Sequence, residues 1–179
     1  MEERVNRERK VLVIGKDHTD MLPLFRFLVE KTGAKKGDAL IWAGCEGACY
    51  AMATFFSYFL NDLGIKLYFA TDADINRLWR LELRKDLGII ATRKEDPIKA
   101  KVIVLMSGLV NVPFENVLDL IQKELADDGV IIGETVIPGL FEGLKWHEQI
   151  PLRFLFEFSM ERPTALELVE GLRDETQNP

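Results

Sequence analysis

Residues 39–52 read ALIWAGCEGACYAM. An apolar run, Ala39–Gly44, stops at a glycine. Cys45 and Cys49 then bracket Glu46 and Gly47, and a second apolar stretch runs from Ala48 to Leu60, broken only by Thr54 and Ser57. A short, nearly continuous apolar run ended by glycine has the pattern of a strand covered on both faces. The longer run that follows has the length of a buried helix. A strand feeding a helix through a corner of small residues is the opening of a βαβ unit, so this stretch sets the fold class.

The same strand pattern recurs at Lys10–Gly15, Lys66–Ala70, Lys101–Met106 and Val130–Gly133. Helical patterns lie between these runs. The first is Leu22–Lys31, with Thr19 or Asp20 as its cap. The second is Glu46–Leu63. The third runs to Leu87 from a capping box at Thr71–Asp74, and the fourth is Pro113–Asp128, stopped by Gly129. The alternation predicts an α/β, Rossmann-like three-layer α/β/α sandwich with a mainly parallel sheet. Leu152–Met160 reads as a last strand, at an edge or antiparallel. Gly88–Arg93 reads as a further short strand, Asp96–Pro97 as a turn or helical start, and Thr164–Arg173 as a terminal helix. The expected organisation is a charged tail over residues 1–9, one domain over 10–160, and a helix with a tail over 161–179.

The chain has 179 residues, 47% hydrophobic and 29% charged, with net charge −6. That size buries a core without staples. The acidic balance gives no general attraction to nucleic acid or anionic lipid, so neither is an expected partner. The Ala48–Leu60 run falls short of the about 20 residues that cross a bilayer. MEERVNRERK at the start has no apolar signal region, and two cysteines build no disulfide framework. These features point to a reducing, cytoplasmic setting.

Ligands of open α/β sheets bind at the carboxyl ends of the strands. The exits there are polar or glycine-bearing: Lys16–Asp20, Cys45–Cys49, Thr71–Asp74, Ser107–Asn111 and Glu134–Thr135. The ligand-binding candidates are Gly44, Cys45, Gly47, Asp72, Ser107 and Gly108. Cys45, Cys49 and Glu134 are candidates for catalysis. A thiol near a helix N-terminus gains thiolate character, but Glu46 opposes both a thiolate and a bound phosphate. No Gly-x-Gly-x-x-Gly or P-loop is present, and His18 and His147 are the only histidines. The Cys-x-x-x-Cys spacing matches no usual zinc site, so no metal is expected. The plain alternative is that small residues let the helix pack close to the sheet, with cysteine serving as a small hydrophobe.

The basic stretch Arg77–Lys101 places Arg77, Arg80 and Arg84 on one face of the predicted third helix, where a solvated surface is the ordinary explanation. The Ala48–Leu60 helix is apolar nearly all round and needs a cover, so a homodimer is expected.

WAGCEGAC followed by FFSYFL, then ATDAD, EDPIKAKVIVLMSGL and VIIGETVIPGLFEGLKW together resemble an uncharacterised archaeal protein family found mainly in methanogens. The resemblance spans Lys10 to Met160. It implies a Rossmann-like domain in an archaeal cytoplasm and assigns no activity. The residues favour binding of a nucleotide- or coenzyme-like small molecule at the sheet's carboxyl rim, with catalysis open and the cofactor unassigned. The alternative is a non-catalytic dimeric interaction module.

Overall fold

A computed structural model describes residues 7–96, 98–158 and 163–170. Nine strands form one sheet: β1 (Arg7–Ile14), β2 (Ala39–Gly44), β3 (Lys66–Thr71), β4 (Leu78–Arg84), β5 (Gly88–Lys94), β6 (Ala100–Met106), β7 (Leu125–Thr135), β8 (Leu152–Phe158) and β9 (Pro163–Glu170). Their spatial order is β1-β9-β8-β7-β6-β2-β3-β4-β5. The five central strands β8, β7, β6, β2 and β3 are parallel. Both flanks are antiparallel, β4–β5 on one side and β9–β1 on the other. The sheet is therefore mixed, not mainly parallel.

The helices are α1 (Met21–Lys31), α2 (Ala48–Leu60), α3 (Phe114–Glu124) and the short α4 (Leu140–Gly143) and α5 (Trp146–Gln149). They cover both faces. All six residues of β2 are buried, which explains its unbroken hydrophobicity: Leu40 and Trp42 face α1 and α2, while Ile41 and Ala43 face the side of α3, α4 and α5. The first face is aromatic, with Phe25 stacked on Trp42 at 4.9 Å and tilted against Phe56 at 4.8 Å. The buried Trp42 indole N–H donates to Ser57 Oγ at 2.9 Å, so one of the two polar breaks in the α2 run serves the core.

Several expectations about elements are corrected. The predicted third helix is a single 3-10 turn, Ile75–Arg77, followed by the β4–β5 hairpin. Arg80, Glu82 and Arg84 alternate along β4 in place of the predicted helical face. Glu82 binds Arg84 at 3.0 Å and Arg93 at 2.9 Å, so this basic surface is largely self-paired. The loop between β4 and β5 is tight, with Asp86 and Gly88 both at positive φ.

The predicted fourth helix ends at Glu124, and Gly129 lies inside β7 instead of stopping a helix. Thr164–Glu170 is strand, not helix, because it fills the slot between β8 and β1. Residues 171–173 of that predicted helix, Met160 at the end of the predicted last strand, and Pro97 in the predicted turn lie outside the described residues. β8, expected at an edge or antiparallel, is interior, parallel to β7 and antiparallel to β9. β1 begins inside the expected tail at Arg7 and is itself the edge, with Val11, Val13 and Ile14 exposed. A continuous apolar run thus occurs at an edge as readily as in the middle of this sheet.

Within the parallel block the spatial order is β3-β2-β6-β7-β8. The chain leaves β2 toward β3 on one side and later returns to β6 on the other. The strand order reverses between β2 and β6, and a crevice opens at their carboxyl ends.

Candidate functional site

That crevice is where ALIWAGCEGACYAM turns. β2 ends at Gly44, whose carbonyl accepts the Asp72 N–H at 2.8 Å. A Cβ on Gly44 would lie 2.4 Å from Cys49 Cβ, so glycine is what lets the first turn of α2 sit on the strand end. Gly47 is the α2 N-cap and is exposed, with open space around it. From the other side, β6 ends in a 3-10 turn, Ser107–Asn111. Gly108 in that turn lies against both sulfurs: a Cβ there would be 2.4 Å from Cys49 Sγ and 2.8 Å from Cys45 Sγ.

The two sulfurs are 3.2 Å apart, in hydrogen-bonding contact, and both thiols are free. Their environments differ. Cys45 is half-buried; burial pushes its thiol up, but the backbone N–H groups of Cys49 and Gly47 and the Cys49 thiol overcome this and hold it below the ordinary cysteine value. Cys49 is buried, and burial together with the neighbouring Cys45 sulfur pushes it up to about 12. The pair therefore consists of a thiol biased toward the anion and a thiol that keeps its proton.

The charge that argued against a thiolate is engaged elsewhere. The Arg77 guanidinium pairs with Glu46 and also with Asp72, the latter at 2.9 Å. Asp72 is set by a turn in which both it and Ala73 have positive φ, 55° and 56°. Two successive non-glycine residues in that region cost on the order of 1–3 kcal/mol each and persist where surrounding packing enforces them; Ala73 is fully enclosed. Asp74, proposed as part of a capping box, accepts the Asn76 N–H at 2.8 Å and caps the 3-10 turn.

A cleft of about 470 Å³ opens over these groups. Cys45, Asp72, Arg77, Gly108, Asn111 and Asn116 contribute to its wall. Of the six ligand-binding candidates, Cys45, Asp72 and Gly108 line this cleft. Gly44 supports it from below, Gly47 caps the helix outside it, and Ser107 turns its N–H toward Glu134. Neither histidine is among its lining residues. Arg77, Asn111 and Asn116 were not among the sequence candidates. The spacing of Arg77 reads as a helix surface, and the asparagines flank Pro113 at the start of α3, where a polar residue reads as a cap.

Glu134 stands apart from the cleft. At the carboxyl end of the sheet Glu134 is paired between Met106 on one side and Phe156 on the other. Glu134 is therefore the carboxyl member of an otherwise largely apolar layer beneath α1 and α2. Burial pushes its carboxyl up to about 7, against the pull of the Ser107 N–H. Among the described residues, no group of three or more His, Cys, Asp or Glu side chains is placed to hold a metal ion.

Residues 18–161 match the sequence profile of a family described as an uncharacterized protein conserved in archaea (DUF2124). The chain belongs to this family. The DUF2124 match covers the corner, the cleft and Glu134 alike. A crystal structure of a protein of unknown function from Methanothermobacter thermautotrophicus is similar over 88% of this chain and 93% of that chain, with a TM-score of 0.67 and 20% identity. At that identity the likeness carries the fold alone. No curated protein matches the chain at a significant level. Among the described residues, no helix is long and apolar enough to cross a membrane.

Proposed function

We propose that this DUF2124 protein binds a small polar molecule, nucleotide- or coenzyme-like, in the cleft between the carboxyl ends of β2 and β6. The observation that carries the reading is convergence: a thiol pair, the Asp72–Arg77 ion pair and two asparagines meet at the point where the strand order reverses. On this reading the five parallel strands act as a Rossmann-like unit, and the antiparallel flanks extend it without reaching the crevice. The volume lies within the usual range of ligand clefts, about 300–1,000 Å³. The two free thiols suit a reducing compartment, and we place the protein in the cytoplasm.

The test is a thermal-shift screen against nucleotides, flavins and coenzyme A. A ligand present at about a hundred times its Kd adds about 2.7 kcal/mol of stability. We expect a rise in Tm with one of these classes, lost in Asp72→Ala. No rise with any class, or a rise undiminished in Asp72→Ala, refutes the proposal.

A second reading, a homodimeric interaction module, draws on one observation. Phe55, Tyr58 and Phe59 on α2 remain 45%, 59% and 42% exposed.

A further inference from the structure

We propose that Cys45 and Cys49 form a redox-active dithiol that reduces small-molecule disulfides by thiol–disulfide exchange, closing to an intramolecular disulfide as it does so. The geometry carries this. The sulfurs are already 3.2 Å apart, so a bond of about 2.0 Å needs an approach of only about 1 Å. Cys45 precedes the α2 N-cap and Cys49 lies in the first turn, so the adjustment falls on a loop residue. Cys45 lines the cleft and Cys49 lies behind it. One sulfur is thus presented to an incoming molecule and the other is held in reserve.

Three surrounding features fit exchange. Backbone N–H groups of Gly47 and Cys49 favour a thiolate at Cys45, and the thiolate is the attacking form. Glu46, the nearest carboxylate in sequence, is occupied by Arg77. Gly108 packs its backbone against both sulfurs where any side chain would collide with them. A metal site is the competing use of two cysteines, and among the described residues no third Cys, His, Asp or Glu joins them in a group placed to hold a metal ion.

The reaction balances with a disulfide R–S–S–R′ as oxidant. The Cys45 thiolate attacks one sulfur; the new Cys45–S–S–R bond forms, the S–S bond of the substrate breaks, and R′S⁻ leaves. R′S⁻ takes the proton of Cys49 and departs as a thiol. The Cys49 thiolate attacks Cys45 Sγ, the Cys45–Cys49 bond forms and RS⁻ leaves. Two electrons pass from the cysteines to the substrate. Exchange in reverse with two equivalents of a small thiol restores the dithiol. The inference rests on the binding proposal only in that the substrate enters by the same cleft.

The full chain is reduced, freed of reductant and treated with bis(2-hydroxyethyl) disulfide, and its intact mass is followed in time. Wild type is expected to lose two hydrogens and retain no adduct. Cys49→Ser is expected to stop at one mercaptoethanol adduct, located at Cys45 by peptide mapping. Cys45→Ser is expected to react at least about tenfold more slowly. An adduct retained on either or both cysteines of the wild type overturns the proposal, as does equal reactivity of the two single variants. The wild-type result decides the matter even where a serine variant fails to fold. Because the probe needs no bound ligand, an empty thermal-shift screen would defeat the binding proposal and leave this measurement standing.

Discussion

Gly108→Ala tests the packing of the candidate site directly. The new methyl carbon would lie 2.4 Å from Cys49 Sγ and 2.8 Å from Cys45 Sγ. Non-bonded heavy atoms settle at about 3.5–4.0 Å, so the shortfall is about 1 Å against two atoms at once. Overpacking of this kind costs about 1–3 kcal/mol, and two simultaneous collisions put the expectation at about 2–3 kcal/mol. For a chain of this size that lowers Tm by about 4–12 °C. Cys49→Ala removes the nearer sulfur, so a double-mutant cycle should recover about 1–2 kcal/mol of coupling. Gly44→Ala is the control. Its Cβ would meet Cys49 Cβ at 2.4 Å, an atom that alanine retains, so Cys49→Ala should bring much less relief there. Urea unfolding at pH 7 with reductant measures all five variants. Additive effects in the Gly108/Cys49 cycle, or equal relief in both cycles, would show that Gly108 does not rest on the sulfurs.

Two further outcomes follow from the same structure. Burial raises the Glu134 carboxyl from 4.5 to about 7. The unfolded chain therefore ionises it first, and stability contributed below pH 4.5 is lost as pH climbs to 7, by about 3 kcal/mol. Glu134→Gln should flatten the stability profile between pH 5 and 8, and an unchanged slope in urea melts would refute the assignment. If copies pair through α2, light scattering should give a dimer in wild type and a monomer in Phe55→Glu/Tyr58→Glu; a monomeric wild type would eliminate this interface.

Legibility in the sequence followed how a residue's environment marks its neighbours. β2 was readable because helices cover both its faces, so all six positions are apolar. The Gly44–Cys49 corner was readable because a strand, a glycine and a helix succeed one another within a dozen residues. β5 was readable in its Gly88–Arg93 run, but β4 was misread: Arg77, Arg80 and Arg84 satisfy helical spacing, while the strand owes its existence to pairing with β3. β9 was misread because its strand form comes from filling the slot between β8, just before it, and β1, far earlier in the sequence. At the site, Glu46 next to Cys45 disfavours a thiolate by its sequence position alone, but Arg77, thirty-one positions away, binds that carboxylate. The asparagines of the cleft carried no signal of their own, since nothing before α3 showed that its start would face Cys45.

The flanking strands bear on how the molecule is made. β1 is synthesised first, yet its sheet partner is β9, with Arg7 opposite Glu170. Until β9 emerges, β1 has no neighbour in the sheet and β8 lacks one of its two. Closure of so long a loop is entropically costly and comes late in folding. In the interval Val11, Val13 and Ile14 belong to an unpaired edge, the kind of surface on which nascent chains associate. The parallel block with its crevice is thus complete before the sheet is sealed.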